Sequence, residues 1–288
     1  NAEAIVYVDV DGVLNVTIRD PGEAPLLLEE SNCDIAASVK DTSSLGKQRD
    51  TVETLQSVMH RSRSEMVGSR SYRDLACGSQ RRCADELVMR LVEILRACGP
   101  QRTVVLSSTW RQPNCAKLVA DLEADVSEHL GEPFVFDSTT KLVQDSSAAA
   151  RLSCIGEHLA KVAAERDGCG SLKVVVLDDF HITPLDGWTC QRSTISSPAD
   201  VEAYLRSCAC ASNPELSVGV KLVHCYTEWR TDSGLRVQVG SGLTSDFVRA
   251  VSDFVSGDRT KAALVHPARR CSGLGGSGRR DKRVLIAL

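Results

Sequence analysis

Two aspartates separated by one valine end an apolar run in IVYVDVDGVLN, residues 5–15. In extended backbone, residues two apart point to the same side, so Asp9 and Asp11 suit a paired site, and Gly12 lets the chain turn sharply straight after them. Similar endings recur downstream. The apolar stretch in VVLSSTWR runs into Ser107, Ser108 and Thr109, and that in VVVLDD runs into Asp178 and Asp179. In an open parallel α/β sheet, ligands gather at the carboxyl ends of the strands. Four carboxylates and a hydroxyl cluster would therefore share one rim. Crowded carboxylates repel and raise one another's pKa unless a cation is present, and an oxygen-only donor set points to Mg²⁺. Calcium in an EF-hand loop is excluded, because the sixth and twelfth positions counted from Asp9 hold Leu14 and Asp20 instead of Gly and Glu. A strand-end aspartate or serine is by itself more often a turn former or a helix cap. The reading rests on three such endings occurring in order.

The elements that must position these residues follow from hydrophobic pattern. AIVYV at 4–8 is uniformly apolar, as expected of a strand covered on both faces in a parallel sheet. TVVLS at 103–107, PFVF at 133–136, KVVVL at 173–177 and VKLVHCY at 220–226 read the same way. Helical spacing relates Leu87, Leu91, Ile94 and Leu95, and again Leu152, Ile155, Leu159 and Val162. The alternation predicts an α/β fold, a Rossmann-like three-layer sandwich around a mostly parallel sheet. Residues 1–15 and 83–256 would form this core. Residues 16–82 are too long for an ordinary connection and read as an inserted cap or lid, with a helix around Val52, Leu55, Val58 and Met59 and a Ser/Arg-rich, mobile second half. Residues 182–219, with Pro184, Pro198 and Pro214, read as an irregular excursion, and 257–288 as a basic, disordered tail.

Bulk properties narrow the class. The 288 residues are 42% hydrophobic and 25% charged, enough to build a core without staples. A net charge of −4 argues against a nucleic-acid coat, although basic residues cluster at 61–82 and 261–283. The 12 cysteines are scattered without a CxxC pair, which suits buried thiols in a reducing, cytoplasmic compartment. Cys208 and Cys210, with His224 and Cys225 downstream, make a poor zinc pattern. Neither a membrane-spanning stretch nor a secretory leader is visible, and the missing initiator methionine suggests a piece of a longer protein.

IVYVDVDGVLN, VVLSSTWR and VVVLDD resemble the first, second and fourth motifs of the haloacid dehalogenase (HAD) superfamily. DVDGVLN with LSSTWR is particularly similar to the HAD domain of Swiss-army-knife RNA repair proteins. The resemblance covers 4–15, 84–180 and SGLTSDFVRAV at 241–251. It implies a phosphatase in which Asp9 is the nucleophile that forms an aspartyl-phosphate and Asp11 is the general acid and base. Mg²⁺ would be held by Asp9, the Asp11 backbone carbonyl and Asp179 or Asp178. Ser107, or Ser108, would hold a phosphate oxygen. The third motif of the family is a cation, for which Arg151 is preferred over Lys141 and Lys161. Arg111 is a further candidate to reach substrate, while Trp110 reads as core and His181 as a loop residue. The implied partner is a phosphorylated small molecule or a nucleic-acid end. A non-catalytic binding protein with the same fold is the alternative.

Overall fold

The computed structural model describes residues 3–15, 17–19, 26–27, 66–67, 70–71, 83–143, 145, 147–166, 170–182, 187–230, 236–240 and 242–257. At its centre is a five-stranded sheet in the order β11-β8-β1-β6-β7, comprising β1 (Glu3–Val8), β6 (Arg102–Leu106), β7 (Ser138–Thr139), β8 (Ser171–Asp178) and β11 (Ser217–His224). Every pairing in it is parallel. Five helices among the described residues cover it: α1 (Asp85–Cys98), α2 (Ala116–Leu130), α3 (Ala148–Ala164), α4 (Pro198–Ser212) and α5 (Ser245–Ser256).

Strand alternation decides which side chain meets which layer. From β1, Val6 and Val8 face the layer of α1, α2 and α5, among Leu87, Leu91, Leu122 and Val251. Ile5 and Tyr7 face α3 and α4, among Leu152, Ile155, Leu159, Val201 and Leu205. The result is a three-layer α/β sandwich, with both sheet faces dry as the uniformly apolar strands require.

Topology then selects a place on the rim. The chain begins at the centre of the sheet, builds outward through β6 and β7, and returns to lay β8 on the other side of β1. The segments leaving β1 and β8 therefore head for opposite layers, and a crevice opens between the two strand ends. Asp9 and Asp178 stand at that switch point.

Several expectations need correction. PFVF at 133–136 is not a strand. The Phe134 N–H donates to Ser127 Oγ at 2.9 Å and the Phe136 N–H to Glu123 Oε1 at 3.0 Å, so α2 takes the donors that a sheet neighbour would have taken. The chain reaches β6 only at Asp137, and the edge strand shrinks to Ser138–Thr139. The stretch 182–219 is more regular than an irregular excursion. It contains a short hairpin, β9 (Trp188–Cys190) with β10 (Ser193–Ile195), and then α4, entered through Ser197 as N-cap and Pro198 in the first turn. The run 220–226 splits at Cys225. β11 ends at His224, and β12 (Tyr226–Arg230) joins a second, antiparallel sheet.

That second sheet runs β12-β13-β2-β3, where β13 is Arg236–Gly240, β2 is Thr17–Arg19 and β3 is Leu26–Leu27. It ties the start of the 16–82 segment to the chain leaving β11. A separate pair, β4 (Met66–Val67) with β5 (Arg70–Ser71), lies further along. The helix expected around Val52 to Met59 and the tail from 258 onward lie outside the described residues. No helix among the described residues is long and apolar enough to cross a membrane.

Candidate functional site

Register brings the motif residues together. Val8 pairs with Leu106 on one side and with Leu177 on the other, so Asp9 is flanked by Ser107 and Asp178. The Asp9 N–H donates to Leu177 O at 2.9 Å and the Ser107 N–H to Val8 O at 2.8 Å, which prolongs the ladder to the rim. Asp9, Asp178 and Asp179 are 1%, 0% and 1% exposed, and each offers a carboxylate oxygen within 4.8 Å of those of the other two. These three are the one group among the described residues arranged to hold a metal ion. The spacing and the all-oxygen donors suit a small hard cation. Cys208, Cys210, His224 and Cys225 form no such group there.

Gly12 is what lets Asp179 approach. Its φ is +86°, in the left-handed region, and a Cβ at this position would collide with the Asp179 carboxylate. The glycine of DVDG is thus required both by the turn and by the space above it.

Arg151 answers the aspartates. It lies in the first turn of α3, which starts on Ser147 as N-cap, and is 7% exposed. Its Nη1 donates to Asp9 Oδ2 at 2.5 Å, and its Nη2 to Asp178 Oδ1 at 2.6 Å and Asp179 Oδ1 at 3.4 Å. The guanidinium also packs over the Phe180 ring, 5.0 Å from its centroid. Burial alone would lower its pKa; Asp178, Asp9 and Asp179 outweigh that and hold it above the ordinary arginine range. Of the three cations weighed for the third motif, Arg151 is the one that meets the carboxylates. Lys141 is exposed, and Lys161 is an exposed surface residue near Glu165.

The hydroxyls divide as well. Ser108 Oγ accepts from the Trp110 N–H at 3.4 Å and caps the 3₁₀ turn Thr109–Arg111. Ser107 Oγ is buried with no hydrogen-bond partner among the described residues, and alternation puts it on the Asp9 side of the sheet. Arg111 leaves the same turn, bonds Thr140 Oγ1 and donates to Lys141 O at 3.2 Å. Burial lowers its pKa, while Asp9 and Asp178 are near enough to raise it and Arg151 near enough to lower it. Its Nε is buried with no partner among the described residues.

Asp11 is only half-buried, and two neutral side chains donate to it. Asn15 Nδ2 donates to its Oδ1 at 3.0 Å and Trp110 Nε1 to its Oδ2 at 3.1 Å. Asn15 Oδ1 in turn accepts the Gly12 N–H at 2.8 Å. Sequence reasoning missed both donors. Asn15 closes the very motif that drew attention, but a loop amide carries no signal of its own; Trp110 was assigned to the core, and its ring does lie there. His181 stays outside the carboxylate group, with its ring 5.5 Å from that of Tyr226.

Comparisons with protein-family models, curated proteins and solved structures each found no match to the chain.

Proposed function

We propose that the protein is a Mg²⁺-dependent phosphomonoesterase of the HAD type, with a cap supplied by the 16–82 segment. One observation carries the reading. Asp9, Asp178 and Asp179 converge on one point at the topological switch of the sheet, with Arg151 spanning all three and the Ser107 hydroxyl, which has no partner among the described residues, alongside. Phosphoryl transfer needs positioning and charge neutralisation above all, and these are what such a rim supplies. The order of the three sequence motifs supports the same reading.

In this mechanism an Asp9 carboxylate oxygen bonds phosphorus as the ester P–O bond breaks. The electron pair leaves on the ester oxygen, which takes the proton of Asp11. Water then attacks phosphorus and gives a proton back to Asp11, and the Asp9–phosphorus bond breaks to release inorganic phosphate. Arg151 orients Asp9 and offsets charge on the phosphoryl group, Ser107 and Arg111 bind its free oxygens, and Asp178 and Asp179 would hold the metal with Asp9. When bound, Mg²⁺ supplies the Lewis-acid charge that lets dianionic substrate approach a carboxylate.

Release of phosphate from an aryl phosphate tests the proposal. Activity is expected to vanish on chelation and in Asp9→Asn; activity that survives either change removes it. A screen of sugar phosphates, nucleotides and phosphorylated oligonucleotides then assigns the substrate class. Steeply salt-dependent oligonucleotide binding would favour nucleic-acid ends.

A further inference from the structure

We infer that Trp110 is a positioning residue, whose indole N–H aims Asp11 at the leaving oxygen; the inference rests on the phosphatase reading above. Trp110 is 4% exposed, its ring lies in the α1/α2 layer of the core, and its one polar atom emerges beside Asp11. A buried indole normally finds a partner for its N–H, and here the partner is a carboxylate on the far side of 99 residues of chain. Ser108 caps the turn that carries the indole, so its direction is fixed from both ends.

The second donor closes the arrangement. The Gly12 N–H occupies Asn15 Oδ1, so the amide must present its Nδ2 to Asp11 Oδ1. One neutral donor on each oxygen fixes the carboxyl plane. Arg151 holds Asp9 through a charged guanidinium. An acid that must hand a proton to the leaving oxygen needs orientation, and the indole N–H supplies it from a fixed, buried ring.

Leaving-group dependence separates aiming from general structural support. Trp110→Phe keeps the buried ring and removes the N–H. For an alkyl phosphate, whose alkoxide needs protonation, kcat is expected to fall on the order of 10- to 100-fold with KM little changed. For p-nitrophenyl phosphate, whose leaving group needs little help, the fall is expected to stay within about threefold. Equal losses on the two esters, or none, overturn the inference and leave the phosphatase reading standing. A wild-type protein that hydrolyses neither ester overturns that reading, and this inference with it. A second measurement does not depend on the Trp110 variant folding. The indole N–H resonance of Trp110, assigned by elimination with Trp188→Phe and Trp229→Phe, is expected to shift in Asp11→Ala. An unmoved resonance means that the bond is absent and overturns the inference.

Discussion

Only Val10 separates Asp9 from Asp11, yet the two halves of the rim treat them in opposite ways. Asp9 is 1% exposed and paired with a guanidinium that also spans Asp178 and Asp179. Asp11 is half-buried and held by an indole and an amide, both neutral. Val10, buried between them in the core, separates the two, and Gly12 turns the chain directly after Asp11. The contrast teaches that a buried strand can end in two carboxylates when only one is taken fully out of water, and that one brings its countercharge. The α3 half holds charge in place; the Trp110 half holds direction.

The largest effect is expected at Arg151. Arg151→Met removes the guanidinium that spans three buried carboxylates, and breaking a buried pair in this way costs about 3–5 kcal/mol. Urea denaturation should show it, whereas Asp11→Asn should cost less, about 1–2 kcal/mol, because asparagine keeps an acceptor for one of the two donors and turns an amide NH2 toward the other at a half-buried site. Equal losses at the two positions would erase the contrast between the halves. Next comes metal. An ion that binds only the folded state at about one hundred times its dissociation constant adds roughly 2.7 kcal/mol. Mg²⁺ should raise the melting temperature of the wild type and not that of Asp178→Asn. Gly12→Ala should cost about 1–3 kcal/mol for the left-handed backbone alone. It should also weaken Mg²⁺ binding measured by calorimetry, because Asp179 must move aside.

The smallest effect lies deeper along α3. His158 joins Tyr7 OH at 3.0 Å and Ser138 Oγ at 3.2 Å, and burial, helped by Lys161, pushes its pKa below the ordinary histidine value. A histidine held neutral in the fold binds fewer protons than it does in the unfolded chain. Its contribution to stability is complete above the ordinary value of about 6.5 and declines as pH falls through it toward the lower folded value. His158→Gln should flatten that part of the stability profile.

Much of this rim was legible in the sequence, because a strand end announces itself. An apolar run that stops on Asp, Ser or Asp-Asp names both the element and the residues it delivers, and the ladder needed only register to join Asp9, Ser107 and Asp178. Arg151 was legible only as one of several cations. What distinguishes it is the direction of α3, which hydrophobic spacing does not encode beyond the buried face. PFVF misled because an apolar run records burial and is silent on where its N–H groups go; Ser127 and Glu123 took them. Prolines in 182–219 suggested irregularity, yet Pro198 sits where a helix tolerates it best, in the first turn. Trp110 was half legible for a related reason: its ring obeys the core and its nitrogen serves the rim.

Rapid acid quench of a reaction with a phosphorus-labelled aryl phosphate tests the central claim most directly. The label is expected on the peptide containing Asp9, to be absent in Asp9→Asn, and to persist longer in Asp11→Asn. Turnover without an Asp9-linked phosphate, or with the label on another residue, would contradict the account.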